Sequence, residues 1–268
     1  MKALERLFTS TMTKSDASPA VTMTGLRKEY ESLVAVEGLD LTISRGEFFC
    51  FLGPNGAGKT TTIKMLTGLV RPTAGSATIC GFDILENPTE AKRRIGYIPD
   101  HPYLYEKLTG RDFFRFVGDL FGVPRPIQEQ RREEFFAQFQ LTHATDRLIE
   151  NYSHGMRQKL VISASLMHQP DVIIVDEPLV GLDPRSAKTV KELFKQQTRE
   201  GKTVFLSTHL LGIAEELADR IGIFNRGHLQ FLGTVDELRH QFNRGDAGLE
   251  ELFLELTQPE ENLVEDRG

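Results

Sequence analysis

The stretch "GPNGAGKTT", residues 53–61, constrains this chain more than any other. It fits the pattern G-x-x-x-x-G-K-[ST], and its flanks are those the pattern requires. Before it runs "EFFCFLG", apolar throughout and closed by glycine, which predicts a fully buried strand. After it, "GKTTTIKMLTGLV" sets Ile63, Leu66 and Val70 at helical spacing. A strand, a glycine-rich turn and a helix start let successive backbone N–H groups converge on one phosphate, with the positive end of the helix dipole behind them. Gly53, Asn55, Gly56 and Gly58 shape the turn, and Lys59 neutralises β- and γ-phosphate oxygens. Thr60 offers a hydroxyl to Mg²⁺, with Thr61 beside it at the helix start. At average glycine usage, a chance match in a chain of 268 residues is about a one per cent event, so an ordinary glycine turn beside a surface lysine is set aside.

The rest of the pattern predicts an α/β fold. "DVIIVDEP" and "KTVFLSTH" are two more strands apolar enough to be buried on both faces, with helical stretches between, which indicates a mainly parallel sheet covered on both sides. Residues 21–47 instead alternate apolar and polar positions, as half-buried antiparallel strands do. Residues 107–139 change texture again. "LTGRDFFRFVGDLFG" puts Phe113, Phe116 or Val117, and Leu120 on one helical face, with Thr109 as N-cap and Asp112 at the third position, and "EEFFAQFQL" repeats the pattern. Thr234 and Glu237 form a capping-box pair that opens a further helix, and "GLEELFLELT" makes a last amphipathic one. The expected architecture is a P-loop NTPase core with an antiparallel β subdomain and an inserted helical subdomain at about residues 100–165. Residues 1–20 read as a mobile arm, 21–231 as the nucleotide-handling domain and 232–268 as a helical tail.

A formal net charge of −6 argues against a general nucleic-acid or anionic-membrane binder, so no nucleic acid is expected as partner. Cys50 and Cys80 lack CxxC spacing and read as core thiols of a reducing cytosol. Glu5 and Arg6 stand where a secretion signal would need its apolar stretch, and no apolar run approaches the roughly 18 residues that span a bilayer. The expected location is cytoplasmic.

Two segments complete the chemistry. Asp176 and Glu177 end the strand "VIIVDEP": the first suits Mg²⁺, and the second accepts a proton from, or orients, an attacking water. Taken alone they would be ordinary solvent-facing carboxylates; a phosphate loop upstream changes that. In "NYSHGMRQKL", Ser153 and His154 are sequence neighbours with no acid evidently placed to orient the histidine, so they do not read as a catalytic pair. The helix predicted after Gly155 puts Ser153 and Gly155 at its N-terminus, where a hydroxyl and free N–H groups bind an anion.

With these residues in view, the chain resembles the ATP-binding-cassette ATPases over residues 21–231. "YSHGMRQKL" looks like the family's LSGGQ motif, "GLDP" at residues 181–184 like its D-loop, His209 in "LSTH" like its switch histidine, and Tyr30 like the aromatic that stacks on adenine. The resemblance implies ATP and Mg²⁺ as cofactors and two cassettes pairing head to tail. Each ATP would lie between the phosphate loop of one cassette and Ser153 and Gly155 of the other, with Asp183 at the seam and hydrolysis releasing the contact. Asp183 before Pro184 also makes a good helix N-cap, a role compatible with the first. Two places depart from the family. Asp100 in "GYIPD" stands where the family has glutamine; a carboxylate still suits Mg²⁺. His154 replaces a glycine and Met156 a glutamine; the histidine is read as pointing away from the phosphate.

The resemblance implies an ATP-hydrolysing transporter subunit, attached to the cytoplasmic face of a membrane through separately encoded membrane-spanning subunits and paired with a second ATPase subunit, as homodimer or heterodimer. Its departures and closing helix are similar to the exporter branch. "DHPYLYEKLTG", residues 100–110, together with the helical lobe, is the expected docking surface. The alternative is a cassette ATPase acting on ribosomes or DNA, for which a second cassette, zinc motifs or basic charge would be expected. A GTPase would want N-K-x-D, which the sequence lacks.

Overall fold

The sheet registers carry the carboxyl ends of the buried strands to one edge, and that edge positions the site. The computed structural model describes residues 18–179, 181–242, 244 and 248–257. The arm expected over residues 1–20 therefore lies outside the described residues except for its last three, as do residues 258–268 of the tail.

An antiparallel sheet comes first: β1 (Val21–Tyr30) pairs with β2 (Leu33–Ile43) from Val21 opposite Ile43 to Tyr30 opposite Leu33. β3 (Phe48–Leu52) leaves for the central sheet and leads through the glycine turn into α1 (Lys59–Leu66). The chain then returns to add β4 (Ala74–Ile79) and the short β5 (Phe82–Asp83), giving the order β2-β1-β4-β5. The central sheet, order β10-β9-β3-β8-β7-β6, takes up β6 (Ile95–Ile98) after α2 (Pro88–Arg93), then β7 (Val172–Asp176), β8 (Thr203–Thr208), β9 (Arg220–Asn225) and β10 (His228–Gly233). All its pairings are parallel except β9 with β10. This is the α/β fold expected.

Why the buried strands are apolar at every position is visible in β3. Phe48, Cys50 and Leu52 enter one core with the helices, while Phe49 and Phe51 enter a second core with α1 and the antiparallel sheet. β7 does the same, with Ile173 and Val175 on the first side and Val172 and Ile174 on the other. Cys50 and Cys80 are buried and unpaired.

Between β6 and β7 stands the helical lobe: α3 (Gly110–Leu120), α4 (Arg125–Gln138) and α5 (His154–Ser165). Thr109 caps α3 by accepting from the Asp112 N–H. The face of α3 differs from the expected one. Phe113, Phe114 and Gly118 are buried, whereas Phe116 and Leu120 face solvent. Close approach turns the helix: a side chain at Gly110 would meet the Tyr152 hydroxyl at 2.2 Å, and one at Gly118 would meet Gln128 of α4 at 2.5 Å. These two glycines sit against neighbours, so the helix packs along them. Val70 likewise falls beyond α1, which stops at Leu66.

After β7 comes α6 (Pro184–Arg199), and α7 (Leu211–Leu217) lies between β8 and β9. The described residues close with α8 (Val235–Gln241), opened by the complete Thr234–Glu237 capping box, and α9 (Leu249–Thr257).

Candidate functional site

The parallel registers explain why residues far apart in sequence meet. Leu52 pairs with Thr208 and with Ile223, Asp176 with Ser207, and Ile98 with Val175. The segments leaving those strands, which are the glycine loop, Glu177, His209, Asp100 and the turn at Arg226 and Gly227, therefore emerge along one edge. They surround a cavity of about 530 Å³ whose lining includes Tyr30, Asn55, Gly56, Gly58, Lys59, Thr60, Thr61, Asp100, Asp176 and Glu177.

The loop holds its shape by contacts only glycine permits. A side chain at Gly53 would meet the Phe224 carbonyl at 2.2 Å. Gly58, at φ +110°, would put one 2.2 Å from the Ala35 carbonyl. Phe224, fully buried and 4.9 Å from the Phe51 ring, is thus the floor of the loop. The β9–β10 turn closes over it, with the Gly227 N–H donating to the Ala57 carbonyl at 2.9 Å.

Lys59 curls back along the loop and donates from Nζ to the carbonyls of Gly53 at 2.6 Å and Pro54 at 3.1 Å. Burial pulls its pKa below the usual lysine range, and the Glu177 and Asp176 carboxylates oppose that pull. Asp176 is buried at the strand end. Its carboxyl is pushed above the ordinary range by burial, partly offset by the Thr60 hydroxyl. A desolvated carboxylate beside a hydroxyl is a hard-oxygen pair that a divalent cation would relieve, so Thr60 and Asp176 fit Mg²⁺. Among the described residues, no group of three or more His, Cys, Asp or Glu side chains forms a metal cage, so a Mg²⁺ ion here would depend on substrate phosphates for further ligands. Asp100 lines the same cavity from the β6 side, its Oδ2 2.9 Å from His101 Nδ1.

Glu177 is held in an uncommon backbone conformation, φ +48°, which stores on the order of 1 kcal/mol in a non-glycine residue. Its Oε1 lies 2.8 Å from His209 Nδ1 and its Oε2 accepts from the Thr208 hydroxyl at 3.2 Å. A carboxylate fixed from two sides at the end of a phosphate cavity can hold one orientation toward a water. Thr208 lies inside "LSTH" without being singled out by it, and Ala35 and the Arg226–Gly227 turn carry no motif in the sequence. Their only signal is tertiary: a strand partner, a carbonyl approach and a hairpin turn.

Ser153, Gly155 and Asp183 lie outside this cavity's lining. Ser153 caps α5, its hydroxyl accepting from the Met156 N–H at 3.3 Å. Asp183 caps α6, accepting from the Ser186 N–H at 3.0 Å, and the Ser186 hydrogen bonds hold its carboxyl below the usual range. Tyr30, 41% exposed, lines the open side of the cavity with Lys28 Nζ 4.8 Å over its ring.

A second cavity, about 790 Å³, runs between the helical lobe and the core and shares Thr60, Asp100 and Asp176 with the first. Its walls include Tyr97, Tyr103, Val117, Phe121 and His168.

Comparison with known proteins agrees with this fold. The family model described as ABC transporter matches residues 36–180. The daunorubicin/doxorubicin resistance ATP-binding protein DrrA of Streptomyces peucetius is 40% identical over 220 residues, covering 82% of this chain and 67% of that protein. Among solved structures, one described as the ATP binding subunit of an ABC transporter superposes with a TM-score of 0.86 at 33% identity, over 89% of this chain and all of that one. The dimeric, post-hydrolysis structure of an ATP-binding cassette with ADP and Pi shares the fold, with a TM-score of 0.74 at 24% identity over 80% of this chain and 98% of that one. A strand-to-helix phosphate loop, a buried acidic strand end and a family match spanning both leave one assignment: the chain belongs to the ABC transporter family, as an ATP-binding ATPase subunit.

Proposed function

We propose that this ATPase powers export of drug-like compounds through separate membrane-spanning subunits, as one half of a head-to-tail pair of cassettes. The observation that carries the catalytic part is Glu177, fixed between His209 and Thr208 beside Asp176 and Thr60 on the phosphate cavity. In this reading Gly53, Asn55, Gly56 and Gly58 present backbone N–H groups to the phosphates, Lys59 leaves its carbonyl partners to meet β- and γ-oxygens, and Thr61 adds a hydroxyl. Thr60, Asp176 and Asp100 would hold Mg²⁺, which supplies charge neutralisation on the phosphates when bound. Glu177 orients and deprotonates the attacking water while His209 holds the carboxylate in place. Tyr30 stacks on the base.

Ser153, Gly155 and Asp183 act on the nucleotide of the second subunit. Their position outside the phosphate cavity of their own chain supports that division of labour. Export is supported by the resistance protein named above. No helix among the described residues is long and apolar enough to cross a membrane, so on this reading the pathway belongs to partner subunits at the cytoplasmic face.

The docking surface is residues 100–110 with the outer face of α3. Tyr103 is 86% exposed, and Tyr105 stands edge-on to the exposed Phe116 at 5.5 Å, an aromatic patch with no core to cover it. Glu106 and Lys107 are tied within the lobe to Arg157 and Glu150, so the tyrosines carry the contact.

The deciding experiment is Glu177→Gln in the full chain. It keeps ATP binding, loses turnover by about a hundredfold or more, and accumulates an ATP-dependent dimer on size exclusion. Turnover near the native rate would remove Glu177 from the role.

A further inference from the structure

The histidine that departs from the family pattern, His154, has a specific place. Its imidazole lies over Gly181, so that a side chain built at Gly181 would come 2.7 Å from Cδ2 and 2.8 Å from Nε2. Gly181 itself adopts φ +79°, a conformation that disfavours any side chain. The ring thus occupies the space over a bare backbone, 27 residues away in sequence. The contact continues along both segments. A side chain at Gly155 would reach Leu182 Cδ2 at 3.8 Å and the Gly181 carbonyl at 3.9 Å. Lys159, one turn further along α5, has Nζ 4.0 Å from Asp183 Oδ2. Leu182 donates its N–H to the Leu179 carbonyl at 3.3 Å, and Asp183 caps α6.

We propose that His154 is a positioning residue: its ring clamps residues 181–183 onto the first turn of α5, so that the anion site at Ser153 and Gly155 and the loop that opens α6 move as one body. The inference rests on the head-to-tail reading above, in which both segments face the second subunit. With glycine at position 154 solvent would replace the exposed imidazole, the backbone at Gly181 would lose its contact with the ring, and the loop would be free to sample other positions. With the ring present, nucleotide seated against Ser153 fixes the position of Asp183 at the same moment. The departure from the family's glycine then adds an intrachain link without moving the serine that caps the helix.

A double-mutant cycle in the full-length chain tests it. His154→Ala deletes the ring and keeps a helix-forming residue; Gly181→Ala drives a methyl into the ring's place. The backbone strain at position 181 is present in both backgrounds and cancels. The expected result is that Gly181→Ala lowers kcat by about fivefold or more beyond its effect in the His154→Ala background. His154→Ala alone lowers kcat at nearly unchanged KM for ATP, and His154→Phe, which restores a ring, recovers most of the loss. Independent effects of the two substitutions on kcat, or no recovery with phenylalanine, overturn the proposal. The ATP-dependent dimer of Glu177→Gln separates the two readings. Its absence sinks the head-to-tail arrangement itself; its presence together with independent His154 and Gly181 effects sinks the clamp alone.

Discussion

His168 gives the protein an acid sensitivity whose size follows from the structure. It sits just past α5, where the helical lobe meets the central sheet, its ring stacked on Phe121 of the lobe with centroids 3.6 Å apart and planes 7° from parallel. Nε2 lies 3.0 Å from the Ile95 carbonyl at the start of β6. A carbonyl only accepts, so Nε2 carries the proton of the neutral ring, and Nδ1 is buried with no partner. Protonation would put a second N–H where nothing receives it. Burial therefore lowers the pKa from 6.5 to about 4; the Ile95 carbonyl opposes this and the cations of Arg131 and Lys202 add to it.

The sign is that of a depressed histidine. Stability is fully present above the unfolded value of 6.5 and is lost as pH falls toward 4. A tenfold change in proton affinity corresponds to about 1.4 kcal/mol, so the limit is about 3 kcal/mol, and at about pH 5 proton linkage gives about 2 kcal/mol. The ring keeps some contact with water, which trims the expected loss to between ~1 and ~2 kcal/mol. The measurement is urea unfolding at about pH 7.5 and pH 5, native chain against His168→Phe, which keeps a planar ring on Phe121 and cannot titrate. The other histidines and carboxylates cancel in the comparison. Native protein should lose ~1 to ~2 kcal/mol more than the variant on acidification. Equal losses would show that His168 titrates normally and that the lobe–core joint is wetter than its geometry implies.

Three other outcomes are expected. Tyr30→Ala should raise KM for ATP by about fivefold with kcat nearly unchanged, since it removes ring contact and leaves the phosphate end intact; steady-state kinetics decide it, and a kcat collapse would argue against a stacking role. Asp100→Asn should reduce the turnover stimulated by the membrane partner more than it reduces ATP affinity, because Asp100 stands between the phosphate cavity and the lobe cavity; unchanged stimulation in proteoliposomes would count against it. Tyr103→Ala should weaken recruitment to membranes carrying the partner by about tenfold while ATPase activity in solution stays within about twofold of native, read by co-sedimentation; full recruitment would move the docking surface elsewhere.

How much of the molecule is legible in its sequence depends on whether the signal is local. The phosphate loop is legible because the motif and the flanking strand and helix are contiguous, and the caps at Thr109 and Thr234 because capping acts over three residues. The α3 face departs from its expected stripe at Phe116 and Leu120 because apolar periodicity does not say which stripe finds a partner. Gly110 and Gly118 decide that, through approaches to Tyr152 and Gln128 that a one-helix pattern cannot contain.

The pairing of Glu177 with His209 shows the same limit in a sharper form. Glu177 and His209 are separated by 32 positions, and no spacing rule joins them; the resemblance to a family does. What joins them physically is the register of β7 with β8, Asp176 opposite Ser207, which sets Glu177 level with Thr208 and one residue short of His209 on the sheet edge. Slide that register by two residues and every side chain keeps its face, so both hydrophobic cores could still form, yet the carboxylate and the imidazole would part by about 7 Å. Burial pattern thus specifies the fold and leaves the pairing open. The pairing is fixed by contacts at strand ends, such as the Glu177 N–H donating to the Ser207 carbonyl at 3.0 Å. A site made from the exits of several parallel strands becomes readable in a sequence only when one exit, here the phosphate loop, carries a contiguous motif from which the other exits can be recognised.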